Sequence, residues 1–103
     1  MFKTNSNVQG AAAVVELTGD LDTPASENFE ADVIKLLKNN DDVMSLVLDM
    51  SGMDYICSSG LRKLLIVKRQ ISERGGAMSV QGVTPNVAQI FKITGFDQIL
   101  GLK

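Results

Sequence analysis

The pattern of apolar and polar positions predicts strands that alternate with helices along the chain. A stretch over residues 2–8 and an apolar run over 12–17 are separated by turn residues at 7–10, which favours a hairpin of two strands. The run over 45–50 is apolar almost without alternation, which is typical of a central strand buried on both faces of a parallel sheet. A further strand is predicted over 77–80.

A first helix is predicted to begin after Thr23, because threonine is a good N-cap and Pro24 suits the first turn. Its end is expected near Asn39 and Asn40. The apolar residues of its predicted buried face recur at helical spacing: Phe29, Val33, Leu36 and Leu37.

Two later segments show the same helical spacing. One is predicted over residues 59–74, ends at the pair Gly75 and Gly76, and has a stripe of four apolar residues: Leu61, Leu64, Leu65 and Ile71. The other is predicted to begin at the cap Thr84 with Pro85 and to end at Gly95. Its stripe comprises Val87, Ile90, Phe91 and Thr94, and the tail over 96–102 is expected to pack back onto the core.

These elements predict one α/β domain over residues 1–103. We expect a mostly parallel sheet of four to five strands with an antiparallel edge strand at the N-terminus, packed with three to four helices. In such sheets functional sites gather where strands end and helices begin.

The amino-acid composition argues against several kinds of functional site. The chain has no histidine and one cysteine, so neither a zinc site of nitrogen and sulfur ligands nor imidazole catalysis is expected, and no metal or cofactor is predicted. No apolar run is long enough to span a bilayer, and the N-terminus lacks the features of a secretory signal, so we expect a cytoplasmic protein without membrane contact.

Charge is divided unequally along the chain. Residues 1–54 have a net charge of −7 and residues 55–103 a net charge of +5, within a total of −2. Internal balance between the halves is one interpretation, and separate acidic and basic patches for a protein partner is the other. The negative total and the five aromatic residues argue against nucleic acid.

The predicted junction between strand and helix at residues 54–62 is the segment that could carry chemistry. It places a thiol and two hydroxyls at a helix N-terminus, where free N–H groups favour an anion; alternatively Ser58 or Ser59 only caps the helix and Gly60 only avoids a clash. A hydrolase is disfavoured because Ile56 replaces the first glycine of Gly-x-Ser-x-Gly and no histidine exists. A cysteine phosphatase is also disfavoured, because the position that its pattern Cys-x5-Arg reserves for arginine holds Lys63. We therefore predict a protein that is not an enzyme.

Four stretches in order resemble the STAS domain family, which includes anti-sigma factor antagonists and the tails of sulfate transporters. The resemblance extends over nearly the whole chain, and the stretches that carry it are Leu17 to Asp22, Leu46 to Leu61, Arg74 to Gly76, and Val83 to Phe96. The resemblance implies a module that binds an anti-sigma factor of the serine kinase type and so releases a sigma factor. It implies that phosphorylation of Ser58, or alternatively Ser59, blocks this binding.

The implied partner surface surrounds the serine loop, and Asp20, Asp22, Arg62 and Lys63 are predicted to meet around Ser58. The expected contact residues are these: Asp20, Asp22, Cys57, Ser58, Ser59, Gly60, Arg62 and Lys63. Cys57 departs from the family, whose phosphorylated members usually have aspartate at this position. The alternative function is a STAS-type binding scaffold in a signalling complex without a phosphorylation switch. The sequence leaves the identities of the anti-sigma factor and the sigma factor open, as well as the triggering signal and the oligomeric state.

Overall fold

The computed structural model describes residues 2–101, which form a four-stranded sheet and four helices. The strands are β1 (Lys3–Gln9), β2 (Ala12–Thr18), β3 (Ser45–Gly52) and β4 (Ala77–Gln81). The helices are α1 (Thr23–Asn39), α2 (Ser58–Glu73), α3 (Pro85–Thr94) and α4 (Phe96–Ile99). The strand order is β1-β2-β3-β4, with β1 antiparallel to β2 and the other neighbours parallel, as the sequence predicts.

Strand β3 lies between two parallel neighbours, but the prediction that both its faces are buried is wrong. Leu46, Leu48 and Met50 are fully buried, whereas Val47 and Asp49, which alternate with them, are only partly buried. The same alternation occurs in β2, where Ala13, Val15 and Leu17 are buried and their neighbours are partly or fully exposed. One face of the sheet is therefore covered by the core, and the other face is more exposed, with polar residues such as Glu16 and Asp49 beside the paired Val14 and Val47.

Helix α1 confirms the predicted stripe and corrects the predicted cap. All four stripe residues are buried, and the helix ends at Asn39 with Asn40 as its C-cap. The N-cap is Asp22 rather than Thr23, because the Asp22 carboxylate accepts a hydrogen bond from the Ala25 N–H at 2.9 Å. Thr23 is already helical, and Pro24 still lies in the first turn, where its missing N–H costs no helical hydrogen bond.

Helix α2 begins at Ser58 and buries a line of residues slightly rotated from the predicted stripe. Leu61, Leu64 and Ile71 are buried as predicted, but Val67 takes the place expected for Leu65, whose side chain is 38% exposed. At the other end of the helix, the Arg74 guanidinium donates hydrogen bonds to carbonyl oxygens at the end of α1 and in the loop that follows. Its closest acceptors are Leu37 O at 2.8 Å, Asn40 O at 3.0 Å and Val43 O at 3.2 Å.

The C-terminal helices close the core beside the sheet. Val87 and Phe91 of the predicted α3 stripe are fully buried, Ile90 is partly buried, and Thr94 is exposed. Gly95 adopts a φ of 81° as the C-cap of α3, as predicted. The tail packs back as expected through Leu100 and through a stacked pair of Phe96 and Phe91, whose ring centroids are 6.5 Å apart; the last part of the predicted tail, Leu102, lies outside the described residues. Within residues 2–101 no helix has the length and apolar character to cross a membrane.

Candidate functional site

Two loops at the carboxyl ends of β2 and β3 are joined by backbone hydrogen bonds. The Leu21 N–H donates to Tyr55 O at 2.9 Å, the Cys57 N–H donates to Leu21 O at 3.0 Å, and Leu21 and Ile56 form an isolated parallel bridge. Nearer the strands, the Gly19 N–H donates to Gly52 O at 3.0 Å. The serine loop is therefore held in place before α2 begins.

Gly60 allows the start of α2 to lie against these joined loops. A Cβ atom at this position would lie 2.7 Å from Ile56 Cγ1 and 2.9 Å from Leu21 Cδ2, closer than carbon atoms pack. Of the two interpretations offered by the sequence, close packing within the protein accounts for this glycine. Its contribution to the site is to bring the Ser58 turn close to the loop that contains Leu21.

Cys57 is the N-cap of α2, so neither serine caps the helix. Its sulfur lies 3.8 Å from Ser26 Oγ and 4.0 Å from Thr23 Oγ1, which links the start of α2 to the start of α1. Burial raises the pKa of the Cys57 thiol, but the Gly60 N–H and the hydroxyls of Ser26 and Thr23 together outweigh it. The net pKa lies below that of an ordinary cysteine.

Ser58 and Ser59 occupy the first two positions of α2 and differ in exposure. Ser58 is exposed and its hydroxyl makes no hydrogen bond to another described residue, whereas Ser59 is partly buried. An incoming group can therefore reach the Ser58 hydroxyl from solvent. The nearby free N–H groups at the helix start favour negative charge there.

The two cations of the first turns of α2 have different surroundings. Lys63 Nζ lies 2.7 Å from Glu30 Oε1 and 3.6 Å from Glu27 Oε2, and the hydrogen bond to Glu30 raises the lysine pKa. Arg62 is exposed and has no ion pair within residues 2–101. Of the two cations predicted for the partner surface, Arg62 is therefore the one whose charge is not already neutralised by α1.

The predicted acids lie on two sides of the serine loop. Asp22 lies beside Cys57 along the joined loops and holds the N-terminus of α1. Asp20 lines a groove with Asp54 and Tyr55 on the side of α3. Within residues 2–101 neither Asp20 nor Asp22 forms an ion pair with Arg62 or Lys63, and Lys63 pairs instead with Glu27 and Glu30 of α1.

Sequence reasoning missed the groove itself, which has a volume of about 390 Å³. Its lining includes Ile93, which is 76% exposed. The available signal was a large apolar residue on α3 outside the predicted stripe.

The described residues contain no cluster of three or more metal-ligating side chains.

Comparison with known proteins defines the family. The sequence model described as "Mlab, STAS domain" matches residues 5–101, so the chain belongs to the STAS domain family, as the resemblance predicts. The chain is 31% identical over 80 residues to BtrV of Bordetella bronchiseptica, whose name assigns it provisionally as an anti-sigma factor antagonist. That match covers 78% of this chain and 67% of BtrV.

Solved structures show the same fold. An anti-sigma factor antagonist from Mycobacterium paratuberculosis superposes with a TM-score of 0.84 at 22% identity, covering 99% of this chain and 85% of the other. The Bacillus cell fate determinant SpoIIAA in its phosphorylated form superposes with a TM-score of 0.72 at 20% identity, covering 95% of this chain and 86% of the SpoIIAA chain.

Proposed function

We propose that this chain is an anti-sigma factor antagonist that binds an anti-sigma factor of the serine kinase type and thereby releases a sigma factor. Phosphorylation of Ser58 switches this binding off. The observation that carries the proposal is the exposed Ser58 hydroxyl at the first position of α2, on a loop held by hydrogen bonds to its neighbour. Ser59 is the alternative acceptor, but its partial burial makes it less accessible to a kinase.

The surface around Ser58 explains how a phosphate would act. A phosphoryl group adds about −1.5 to −2 charges, and the free N–H groups of the helix start favour that charge. Arg62 lies one helical turn beyond Ser58, at the spacing at which helix side chains meet, so it is positioned to pair with the group. A partner packed over the loop would have to desolvate the new charge, and the paired Arg62 would no longer be available to its acids.

Relatives support this function. BtrV, at 31% identity, carries the name of an anti-sigma factor antagonist, and a Paenibacillus polymyxa protein that is 26% identical over 84% of this chain is named an anti-sigma F factor antagonist. SpoIIAA has been solved in a phosphorylated form. The proposal further comprises a single domain over residues 1–103, a binding rather than catalytic activity, a cytoplasmic location, and no nucleic-acid or membrane partner.

One observation favours the alternative of a STAS-type scaffold without a switch. Cys57 has replaced the aspartate usual in phosphorylated members, and its sulfur faces the hydroxyls of α1. A carboxylate beside the acceptor hydroxyl is therefore missing. In this alternative the same surface binds its partner constitutively.

Phosphorylation in vitro tests the switch. The partner is first recovered by pull-down from the native cell with the wild-type chain, then incubated with the chain and ATP, and the phosphate is mapped by mass spectrometry. We expect label on Ser58, loss of that label in Ser58→Ala, and retention of label in Ser59→Ala. A complex that forms but leaves both serines unlabelled would overturn the switch and support the scaffold.

The affinity of the phosphomimetic variant separates the two functions independently. Ser58→Asp is expected to weaken partner binding at least about tenfold, as is typical when a charge is introduced into a buried contact. Ser72→Asp, a matched change at an exposed position near the other end of α2, is expected to leave affinity unchanged. Equal affinities of Ser58→Ala and Ser58→Asp would identify a constitutive scaffold.

A further inference from the structure

The groove between the serine loop and α3 combines negative charge with exposed apolar surface. Its volume is about 390 Å³, and it is lined by Asp20, Asp54 and Tyr55 from the loops and by residues of α3 that include Ile90 and Ile93. Tyr55 is 48% exposed and Ile93 is 76% exposed, so two large side chains present apolar surface beside the carboxylates of the groove. Such a surface is typical of a place where another protein binds.

Hydrogen bonds and buried side chains hold both walls of the groove in place. One wall is held because the Leu21 N–H donates to Tyr55 O at 2.9 Å. The other wall is anchored where the Thr84 hydroxyl donates to Met53 O at 2.8 Å and where Asn86 Nδ2 donates to Asp54 Oδ2 at 3.2 Å. Buried Val87 and Phe91 fix the opposite face of α3. A ligand therefore meets a groove that already exists, and binding requires little ordering of the protein.

The charges of the groove decide which ligand it fits. Asp20 and Asp54 are exposed, and neither has an ion pair within residues 2–101. Within residues 2–101 no basic side chain lines the groove, so its carboxylates repel phosphates and other anions. A guanidinium or ammonium group would pair with these carboxylates, and a guanidinium could also stack on the exposed Tyr55 ring.

We propose that the groove binds a segment of a partner protein in which an arginine or lysine is flanked by large aliphatic side chains. The basic group pairs with Asp20 and Asp54, and the aliphatic groups cover Ile90 and Ile93. Tyr55 lies three residues before Ser58, so the groove adjoins the surface proposed above. The site rests on the proposed function only for the identity of the protein that carries the segment.

The full partner surface is then divided by charge. It is basic at Arg62, one helical turn beyond Ser58 on α2, and acidic at Asp20 and Asp54 on the α3 side. A partner with the complementary arrangement can bind in only one orientation.

Short peptides test the groove without any knowledge of the partner. The probes are acetyl-Leu-Arg-Leu-amide and the neutral acetyl-Leu-Gln-Leu-amide, titrated into the isotopically labelled full chain and followed by nuclear magnetic resonance. We expect the arginine peptide to shift the amide signals of Asp20, Tyr55 and Ile93 and to bind roughly five- to tenfold more tightly than the glutamine peptide. Shifts confined to other surfaces, or equal affinity of the two peptides, would overturn the proposal.

Variants assign the two parts of the interaction. Asp20→Asn with Asp54→Asn should abolish the preference for arginine, and Ile93→Ser should weaken both peptides alike. Asp41→Asn with Asp42→Asn is the matched control, because these exposed acids precede β3 at the other end of the strands. An arginine preference that survives in the first double variant contradicts the site, whereas failure of Ser58 phosphorylation leaves these peptide results unaffected.

Discussion

Cys57 connects the starts of α1 and α2 at the level of single atoms. Its sulfur contacts hydroxyls of Ser26 and Thr23, and its backbone N–H bonds to Leu21 O. The hydrogen bonds to the sulfur are stronger when it is a thiolate than when it is a thiol, so they stabilise the thiolate. The pKa of Cys57 is therefore lowered despite burial, which acts in the opposite direction. The stability gained is present above the pKa of the unfolded chain and is lost as the pH falls through the folded-state pKa.

Alkylation measures this pKa. The rate of reaction of Cys57 with iodoacetamide should reach half its maximum at a lower pH in the folded chain than in the chain unfolded by urea. Thr23→Val removes a hydroxyl that contacts the sulfur and has no other hydrogen-bond partner within residues 2–101, so it should move the folded-state midpoint upwards, while Ser72→Ala should not. Coincident midpoints for the folded and unfolded chains would contradict the assignment.

Gly60→Ala should destabilise the fold although alanine is the better helix former. The added methyl group would meet Ile56 and Leu21 at less than 3.0 Å, and overpacking of this kind costs about 1–3 kcal/mol against a helix gain of about 1 kcal/mol. We expect a lower midpoint of urea unfolding and shifted amide signals in the loop that contains Leu21. The exposed helix position of Ser72→Ala provides the control, where a small stabilisation is expected.

At the scale of elements, Arg74 joins the C-terminal ends of α1 and α2. Its guanidinium donates to Leu37 O in the last turn of α1, where the helix dipole favours a cation, and to Asn40 O and Val43 O in the loop that follows. Arg74→Ala should lower the free energy of unfolding by about 2–3 kcal/mol, because charge-assisted hydrogen bonds are lost together. Chemical denaturation measures it.

The control for Arg74 lies on the same helix. Arg69→Ala removes an equal charge from an exposed position without a described ion pair and should change stability by less than about 0.5 kcal/mol. Arg74→Lys should recover only part of the loss, since one ammonium group cannot reach three carbonyls as the planar guanidinium does. Equal stability of Arg74→Ala and Arg69→Ala would contradict this function of Arg74.

The elements show which features a sequence can predict. Helical spacing predicted the whole buried face of α1 because local periodicity dictates it, but in α3 it was wrong for Thr94, which is exposed. The cap at Asp22 and the rotation of α2 were missed because both depend on tertiary contacts: the bridge between Leu21 and Ile56 holds the chain extended up to Asp22, and packing selects Val67 over Leu65. The spacing of apolar residues predicts that a helix has a buried face, but it does not decide which of the apolar residues at the edge of that face is buried.

At the scale of the whole molecule, folding distributes the charge that the sequence divides in two. Lys63 from the basic half pairs with Glu27 and Glu30 from the acidic half, whereas Arg62, Asp20 and Asp54 have no such pairs within residues 2–101. Internal balance therefore occurs at Lys63, while Arg62, Asp20 and Asp54 remain available to a partner. Sequence reasoning predicted the serine loop as the candidate site from its residues, whereas the pairing of Lys63 and the groove beside α3 depend on the packing of distant elements.

The position of Ser58 on the outside of the molecule predicts a switch that leaves the fold intact. Ser58→Asp places a carboxylate at an exposed helix start, where the dipole favours it, so we expect a change in unfolding free energy of less than about 0.5 kcal/mol. Ser26→Asp is the matched contrast. Ser26 is fully buried and donates to Asp22 O at 2.6 Å, and a carboxylate there should cost about 3 kcal/mol or more.

Thermal unfolding and amide spectra of the two aspartate variants measure the difference. Ser58→Asp should keep the wild-type melting temperature, with shifts confined to the start of α2 and the loop at Leu21. Ser26→Asp should melt at a clearly lower temperature. A Ser58→Asp chain as unstable as Ser26→Asp would mean that charge at residue 58 acts by unfolding α2, and local obstruction of a partner would then be the wrong mechanism.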